Sequence, residues 1–338
     1  MKRLGIVFLV AGLAFAFPGA SPAAMPLKVG LVTDIGGLND RSFNQLSYEG
    51  LLKAAKELGV HADVVQSTAQ TDYVQNLTRF AQGGYNLVIS VGFLMKDATA
   101  QVSKQFPQTH FLLIDDVIND QPNVSSAVFS TEQCGYLVGA LAAMVEGDKT
   151  LALSGIHHTG TLGVIGGIRI PPVDSYIAGY YQGAWAVDPK IAVLRGYTGN
   201  FNDPASGKAL ALAQHSRGAE IVFQVAGGTG QGVIAAAAEQ GFLAIGVDSD
   251  QSFLAPQSVL TSAIKRVDTS VFLTAKRLQD GTLKSGIETF DLRNGGVGIG
   301  SILKGVPEAL VGKVDGMKRD IVGGRIKVSA AIPPAAGK

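Results

Sequence analysis

Cysteine is almost absent, with Cys134 the only one in 338 residues. An intrachain disulfide is therefore excluded. Its setting in a small-residue helical pattern, Cys134 to Val145, points to a buried core thiol. Charge is scarce too. Charged residues make up 16% of the chain, and 28 basic residues nearly balance 27 acidic ones. No Lys/Arg stripe accompanies that balance, so nothing points to a nucleic-acid partner. Beyond the N-terminus no apolar run reaches the ~20 residues that a membrane-spanning helix needs.

The one long apolar run stands at the start. Lys2 and Arg3 precede Leu4 to Phe17, Pro18 breaks the run, and small residues follow through Ala24. That order reads as a secretory signal peptide over residues 1–24, cut after Ala23 or Ala24. The run is short for an anchor, and no stop-transfer charges follow it. It contains no cysteine for bacterial N-terminal lipidation, so the expected product is exported, periplasmic and soluble. Removing Lys2 and Arg3 leaves 26 basic residues against 27 acidic, a formal net charge of −1.

Glycine is what the chain has in quantity, at 43 residues. With few charges, this fits a well-packed α/β protein with many tight loops better than a disordered one. The length suits two domains on the usual prior of ~150 residues each. Strand-like runs fall at Lys28–Val32, Ala62–Val65, Leu87–Val91, Phe111–Ile114, Val124–Phe129, Leu162–Ile165, Ile191–Leu194, Ile221–Val225, Leu243–Val247 and Ser258–Ala263. Helical patterns separate most of them, at Asn44–Leu58, Thr71–Gln82, Leu94–Phe106, Thr131–Val145, Asp174–Ala186, Pro204–His215, Gly230–Gln240 and Asp268–Gln279. Such alternation predicts βαβ units and parallel sheets. Ten strands overfill one comfortable open sheet. The expected fold is therefore α/β with two lobes, each a parallel sheet flanked by helices, and a ligand cleft between them. The expected division is 27–128 plus 252–284 for the first lobe and 129–251 plus 285–335 for the second. The chain is expected to cross near Phe129, Asp250 and Thr282–Ile287.

The loops after the strands carry the chemistry. The first runs from Thr33 to Asn44, where Gly36 and Gly37 let backbone approach a ligand and Asp34, Asp40, Ser42 and Asn44 supply polar handles. Phe43 adds a flat apolar face. Asp40 or Ser42 also suits a helix N-cap, which accounts for one or two of these residues but not the cluster. Later loops offer Gly92 and Phe93, then Asp115 and Asp116, then Gly196 to Asp203 with Phe201, then Ala226 to Gly230, then Asp248 to Gln251, then Lys265. Carboxylates accept bonds from hydroxyls and base N–H groups, and Lys265 can donate to a hydroxyl. Phe43, Phe93 and Phe201 can stack on a ring, at roughly 1–3 kcal/mol per base. A neutral ligand rich in hydroxyls and nitrogens fits this set.

Other local motifs have plainer explanations. Gly227-Gly-Thr-Gly230 is followed by no Lys-Ser/Thr pair, as a P-loop would need. The stretch Gly163–Gly167 does not match the dinucleotide pattern. His157-His158 has no obvious third ligand nearby and reads as a solvated loop, so no metal site is expected. Asp115-Asp116 suits a cap or ligand acceptor better than a catalytic pair, and no cofactor is expected. Trp185 and Tyr180–Tyr181 sit at helical spacings that suit packing, and Lys304 to Lys327 reads as a helix and strand closing one lobe.

The segments Asp34–Asn44, Gly163–Gly167, Gly199–Pro204, Phe223–Gly230 and Ile245–Gln251 resemble, in order over the mature chain, the basic-membrane-protein family of bacterial substrate-binding proteins, and within it the purine nucleoside receptor type of ABC importers. The resemblance implies the two-lobed periplasmic-binding-protein fold of the sugar-binding type. It implies Phe43 and Phe201 sandwiching a base, Asp34 and Asn44 with Ser42 reading its edge, and Asp115 facing the cleft. Gly227, Asp248 and Lys265 would hold the ribose. The function implied is delivery of a nucleoside, a purine nucleoside above all, to a membrane ABC permease by a monomeric binding protein that is not an enzyme. The alternatives are a sugar or other small-molecule binding protein of the same fold, and an exported nucleoside hydrolase. Against the hydrolase, Asp34–Asp40 is too sparse for the dense calcium-binding aspartate cluster of such enzymes.

Overall fold

A computed structural model describes residues 26–334. The expected signal segment, 1–24, lies outside them. In the first sheet, β1 (Lys28–Val32) is, after Lys28, a run of apolar residues buried on both faces, as a central parallel strand requires. It pairs in parallel with β2 (His61–Val65) on one side and β3 (Leu87–Ser90) on the other. Parallel pairing continues through β4 (His110–Ile114) and β5 (Val124–Phe129) to an edge strand, β11 (Gly286–Phe290). The order is thus β11-β5-β4-β3-β1-β2. The second sheet repeats the plan, with order β12-β10-β9-β8-β6-β7. Its strands are β6 (Thr161–Gly166), β7 (Ala192–Tyr197), β8 (Ile221–Val225), β9 (Leu243–Asp248), β10 (Val259–Lys265) and β12 (Val297–Ile299). Only β12 runs antiparallel, against β10.

Helices cover both faces of each sheet. On the first, α1 (Phe43–Leu58) and α8 (Val267–Gln279) bury Leu51, Ala54, Val267 and Val271 on one side. On the other side α2 (Tyr73–Gln82) and α3 (Lys96–Gln105) bury Leu77, Phe80 and Val102. On the second sheet, α4 (Thr131–Gly147), α5 (Pro171–Val187) and α9 (Glu308–Val322) oppose α6 (Pro204–His215) and α7 (Gly230–Gln240). The α4–α5 pair is the tightest. A Cβ on Gly135 or Gly139 would lie 2.3 or 2.2 Å from the backbone oxygens of Tyr176 and Tyr180. A Cβ on Gly179 or Gly183 would lie 2.0 or 1.9 Å from those of Glu132 and Tyr136. Glycine at four facing positions is what lets these two backbones touch, and it fixes α5, whose first turns reach the cleft. Cys134 is fully buried in α4, as its small-residue setting predicts.

Four details depart from the sequence-based expectation. Of the helix and strand expected at Lys304 to Lys327, only the helix α9 forms. Each sheet has a sixth strand beyond those expected, β11 pairing with β5 and β12 with β10. The strand expected at Ile191–Leu194 runs on to Tyr197, because Gly196 and Tyr197 pair with Ile165 and Gly166. The lobe boundaries also move. Val259–Lys265, expected in the first lobe, pairs with β9 in the second sheet, and Gly286–Phe290, expected in the second, pairs with β5 in the first. The crossings accordingly lie at Ser130, Arg266 and the stretch after Phe290, rather than near Asp250 and Thr282–Ile287. They are knitted together: Ser130 N donates to Phe290 O at 2.9 Å, and the Phe129 and Phe290 rings stack at 5.0 Å.

Candidate functional site

In each sheet the strand order reverses once, between β1 and β3 and between β6 and β8. Loops diverge there and leave a crevice beyond the strands' carboxyl ends, the usual ligand position in open α/β sheets. The two crevices face each other. Asp34, Gly92 and Phe93 come from the first, and Ile170, Ala226 and Gly227 from the second. Between them lies a cavity of about 60 Å³.

Of the residues singled out from sequence, Asp34, Phe43, Asn44, Phe93, Asp115, Phe201, Gly227, Asp248 and Lys265 all line this cavity. Ser42 does not. Its hydroxyl crosses to the second lobe and donates to Asp248 Oδ2 at 2.6 Å. Sequence reasoning missed Tyr176 as a lining residue, together with Ile170, Pro172 and Val173. The Tyr176 hydroxyl donates to Asp248 Oδ1 at 2.9 Å. The available signal was position: the first turns of α5 follow the cleft end of β6.

The loop before α1 is held by carboxylates. Asp40 accepts from the backbone N–H groups of Ser42, Asn44 and Gln45 at 2.9, 2.8 and 3.1 Å. It therefore caps α1, although Ser42 occupies the N-cap position, and this leaves the Ser42 hydroxyl free for Asp248. Asn44 Nδ2 bridges Asp34 Oδ1 at 2.8 Å and Asp40 Oδ2 at 3.1 Å. Gly36 N also donates to Asp34 Oδ1 at 2.8 Å. A Cβ on Gly36 would fall 2.8 Å from Asn44 Nδ2, so the turn demands glycine. Burial pushes the carboxyls of Asp34 and Asp40 up to about 6, because these hydrogen bonds offset only part of the desolvation.

Asp115 and Asp248 both stand at strand ends with φ of 72° and 63°. Aspartate tolerates this left-handed region better than most residues. Lys265, 2% exposed, reaches Asp115 at 2.5 Å. Its ammonium also lies 4.6 Å from the Phe43 ring centroid and 5.0 Å from that of Phe129. The Asp115 carboxyl is still raised, since its desolvation outweighs the lysine. Phe201, from the other lobe, lies against Gly167, whose added Cβ would meet its ring at 2.4 Å. The lobes touch around this cavity. Arg41, with φ of 55°, turns its carbonyl outward to accept from Ser249 Oγ at 2.9 Å and Gln251 Nε2 at 3.0 Å. Gln231 Nε2 donates to Asn39 O at 3.1 Å.

Chemically, the cavity offers aromatic faces from both lobes, four carboxylates and one lysine already paired. Its hydroxyl and its ammonium are both tied to carboxylates, Tyr176 to Asp248 and Lys265 to Asp115. No group of three or more His, Cys, Asp or Glu suited to a metal occurs among the described residues, and no helix among them is long and apolar enough to cross a membrane.

Comparison with known proteins adds to this geometry. Residues 27–331 match the family model described as ABC transporter substrate-binding protein PnrA-like, Bmp. The chain is 36% identical over 325 residues to the ABC transporter nucleoside-binding protein BmpA of Lactococcus lactis, covering 89% of each. It is 32% identical to basic membrane protein A1 of Borrelia garinii, over 89% of this chain and 88% of that one. A solved ABC transporter solute-binding protein from Aeropyrum pernix superposes with a TM-score of 0.81 at 26% identity, over 92% of this chain and 95% of the other.

Proposed function

The chain belongs to the PnrA-like, or Bmp, family of ABC transporter substrate-binding proteins, and from that premise we propose that it binds a purine nucleoside unaltered and hands it to a membrane permease after export. One observation carries this reading: Phe43 from the first lobe and Phe201 from the second line one cavity whose remaining walls are rich in carboxylates. Two aromatic faces suit a flat base. Carboxylates suit ribose hydroxyls and base N–H groups. The charge balance selects further. Asp34, Asp40, Asp115 and Asp248 face a single lysine, so a phosphate would meet repulsion, and the uncharged nucleoside fits where its nucleotide does not.

The ribose falls to Asp248 and Lys265 with the Gly227 backbone, and the base to Phe43, Phe201 and Asp34. The name of the Lactococcus relative, a nucleoside-binding protein, supports the same ligand class. The lobe contacts at Ser42–Asp248 and Asp115–Lys265 fit a cleft that closes on its ligand. The test is mass spectrometry of small molecules released from the natively purified protein. It is followed by calorimetry with inosine, guanosine and adenosine and by chromatography after long incubation. A bound nucleoside and intact recovery are expected. Release of free base at a catalytic rate would establish the hydrolase instead, and a bound sugar would overturn the nucleoside assignment. In cells, Phe201→Ala should be made and exported yet fail to support uptake of labelled nucleoside.

A further inference from the structure

We propose that the closed cleft is latched at a place that touches no ligand. Gln231, Ser249 and Gln251 of the second lobe hold the main-chain carbonyls of Asn39 and Arg41 of the first. This latch sets the balance of closed and open forms, and with it the residence time of the ligand. The proposal rests on the closure invoked by the nucleoside reading above and deepens it. None of the five residues lines the cavity. Ser249 Oγ and Gln251 Nε2 donate to Arg41 O at 2.9 and 3.0 Å, and Gln231 Nε2 donates to Asn39 O at 3.1 Å. Both acceptors are backbone, so the strength of the latch is set by three side chains of the second lobe.

Each half of the central contact is fixed within its own lobe. The Arg41 carbonyl and the Ser42 N–H belong to one trans peptide and point in opposite directions. Asp40 Oδ1 holds the N–H at 2.9 Å, so the carbonyl is aimed out of the first lobe. Arg41 takes a φ of 55° to allow this. That conformation is costly for a residue with a Cβ and persists where the surroundings over-determine it. Here Asp40 fixes one end of the peptide and the second lobe fixes the other. Gln251 is fully buried in that lobe. Its Oε1 accepts from Gln224 Nε2 at 2.7 Å and from Val247 N at 2.9 Å, and its own N donates to Ser262 Oγ at 3.0 Å. With the oxygen end so occupied, the amide presents Nε2 to Arg41. A fixed donor thus meets a fixed acceptor, and closure orders neither. Contacts preorganised in this way lose little of their worth to ordering. Ser249 and Gln231 are half-buried at the edge of the same contact and add one bond each. Because the latch joins the lobes and not the ligand, it acts on binding through the populations of the two forms.

The test compares the purified full chain with Gln231→Ala, Ser249→Ala and the double variant. Cys134 is fully buried, so dyes on cysteines introduced at Lys56 on α1 and Gln240 on α7 mark the two lobes selectively. Single-molecule energy transfer then gives the closed-to-open ratio without ligand, and stopped-flow mixing gives the release rate of inosine. Each single variant should lower the ratio roughly 2–10-fold, the worth of one net hydrogen bond. The double variant should lower it by about the product, since the two acceptors are separate carbonyls. Inosine should leave faster by the same factor, while the melting temperature stays near that of wild type. A merely structural role would lower the melting temperature and leave the ratio alone. A ratio or a release rate unchanged in the double variant overturns the latch and leaves nucleoside binding intact. A lowered ratio in a protein that binds no nucleoside supports the latch and overturns the nucleoside reading.

Discussion

Replacing Lys265 by methionine tests the electrical core of the cleft. Methionine keeps the stem's contacts with Phe43 and Phe129 and removes only the charge. Asp115 then lies buried without its partner, and breaking a buried pair costs roughly 3–5 kcal/mol. A second limit can be worked out. An unpaired buried carboxyl escapes by taking up a proton, and at pH 7 that costs about 1.4 kcal/mol for each unit above its ordinary value. With that value at 3.8, the ceiling at pH 7 is roughly 4 kcal/mol, and at pH 5 it is under roughly 2 kcal/mol. The sign follows. In the variant the folded state holds a proton that the unfolded chain releases above pH 3.8, so stability falls as pH rises from there. Denaturant unfolding of wild type and Lys265→Met at pH 5 and pH 7 measures the penalty. It should at least halve at pH 5, and adding Asp115→Asn should remove most of it. A penalty equal at both pH values, or undiminished in the double variant, would refute the reasoning.

Burial pushes Asp34 and Asp40 up to about 6 and Glu146 up to about 7. The folded state therefore holds protons the unfolded chain has lost, and the ligand-free protein should melt higher at pH 5.5 than at pH 8; the reverse order would be wrong for these groups. Gly183→Val drives a side chain into Tyr136 O on α4. It should cost at least the roughly 1–3 kcal/mol of an overpacked core, and an unchanged melting temperature would contradict the close α4–α5 contact. Asp248→Ala should weaken inosine binding roughly tenfold or more by calorimetry. It should also lower stability, because Tyr176 and Ser42 both lose their acceptor; unchanged affinity removes Asp248 from the site.

The sequence revealed elements wherever burial dictated composition. Runs such as Val29–Val32 and Leu243–Val247 are apolar throughout because parallel strands are covered on both faces. Strands β11 and β12 carry no such mark. Gly-Ile-Glu-Thr-Phe is a half-exposed edge, and Val-Gly-Ile is three residues fixed by pairing with β10. Which sheet β10 joins is likewise a tertiary matter, since its own residues suit either. The site was legible because strand-end loops converge by topology, so polar and aromatic residues there could be read off in order. Tyr176 escaped because an aromatic inside a helix looks like packing until the helix is known to begin at the cleft. Nor could the sequence divide labour among the polar residues. Asp40, Ser42 and Asn44 all looked like ligand handles, and only the donor–acceptor pairing shows that two of them are spent holding the loop.

That pairing makes binding and closure mechanically one. Asp34 lines the cavity at one end of the loop. At the other end Arg41 and Ser42 grip the second lobe through Ser249, Gln251 and Asp248. Between them Asn44 ties Asp34 to Asp40, and Asp40 fixes the backbone of Ser42. A ligand that moves Asp34 must work against this chain of hydrogen bonds. These hydrogen bonds hold the loop in one shape, which reduces the ordering cost of binding. It also explains why carboxylates recur where neutral residues could have lined the cavity. Each can accept several donors at once, so one residue can cap a helix, hold a neighbour and leave a lone pair facing the cleft.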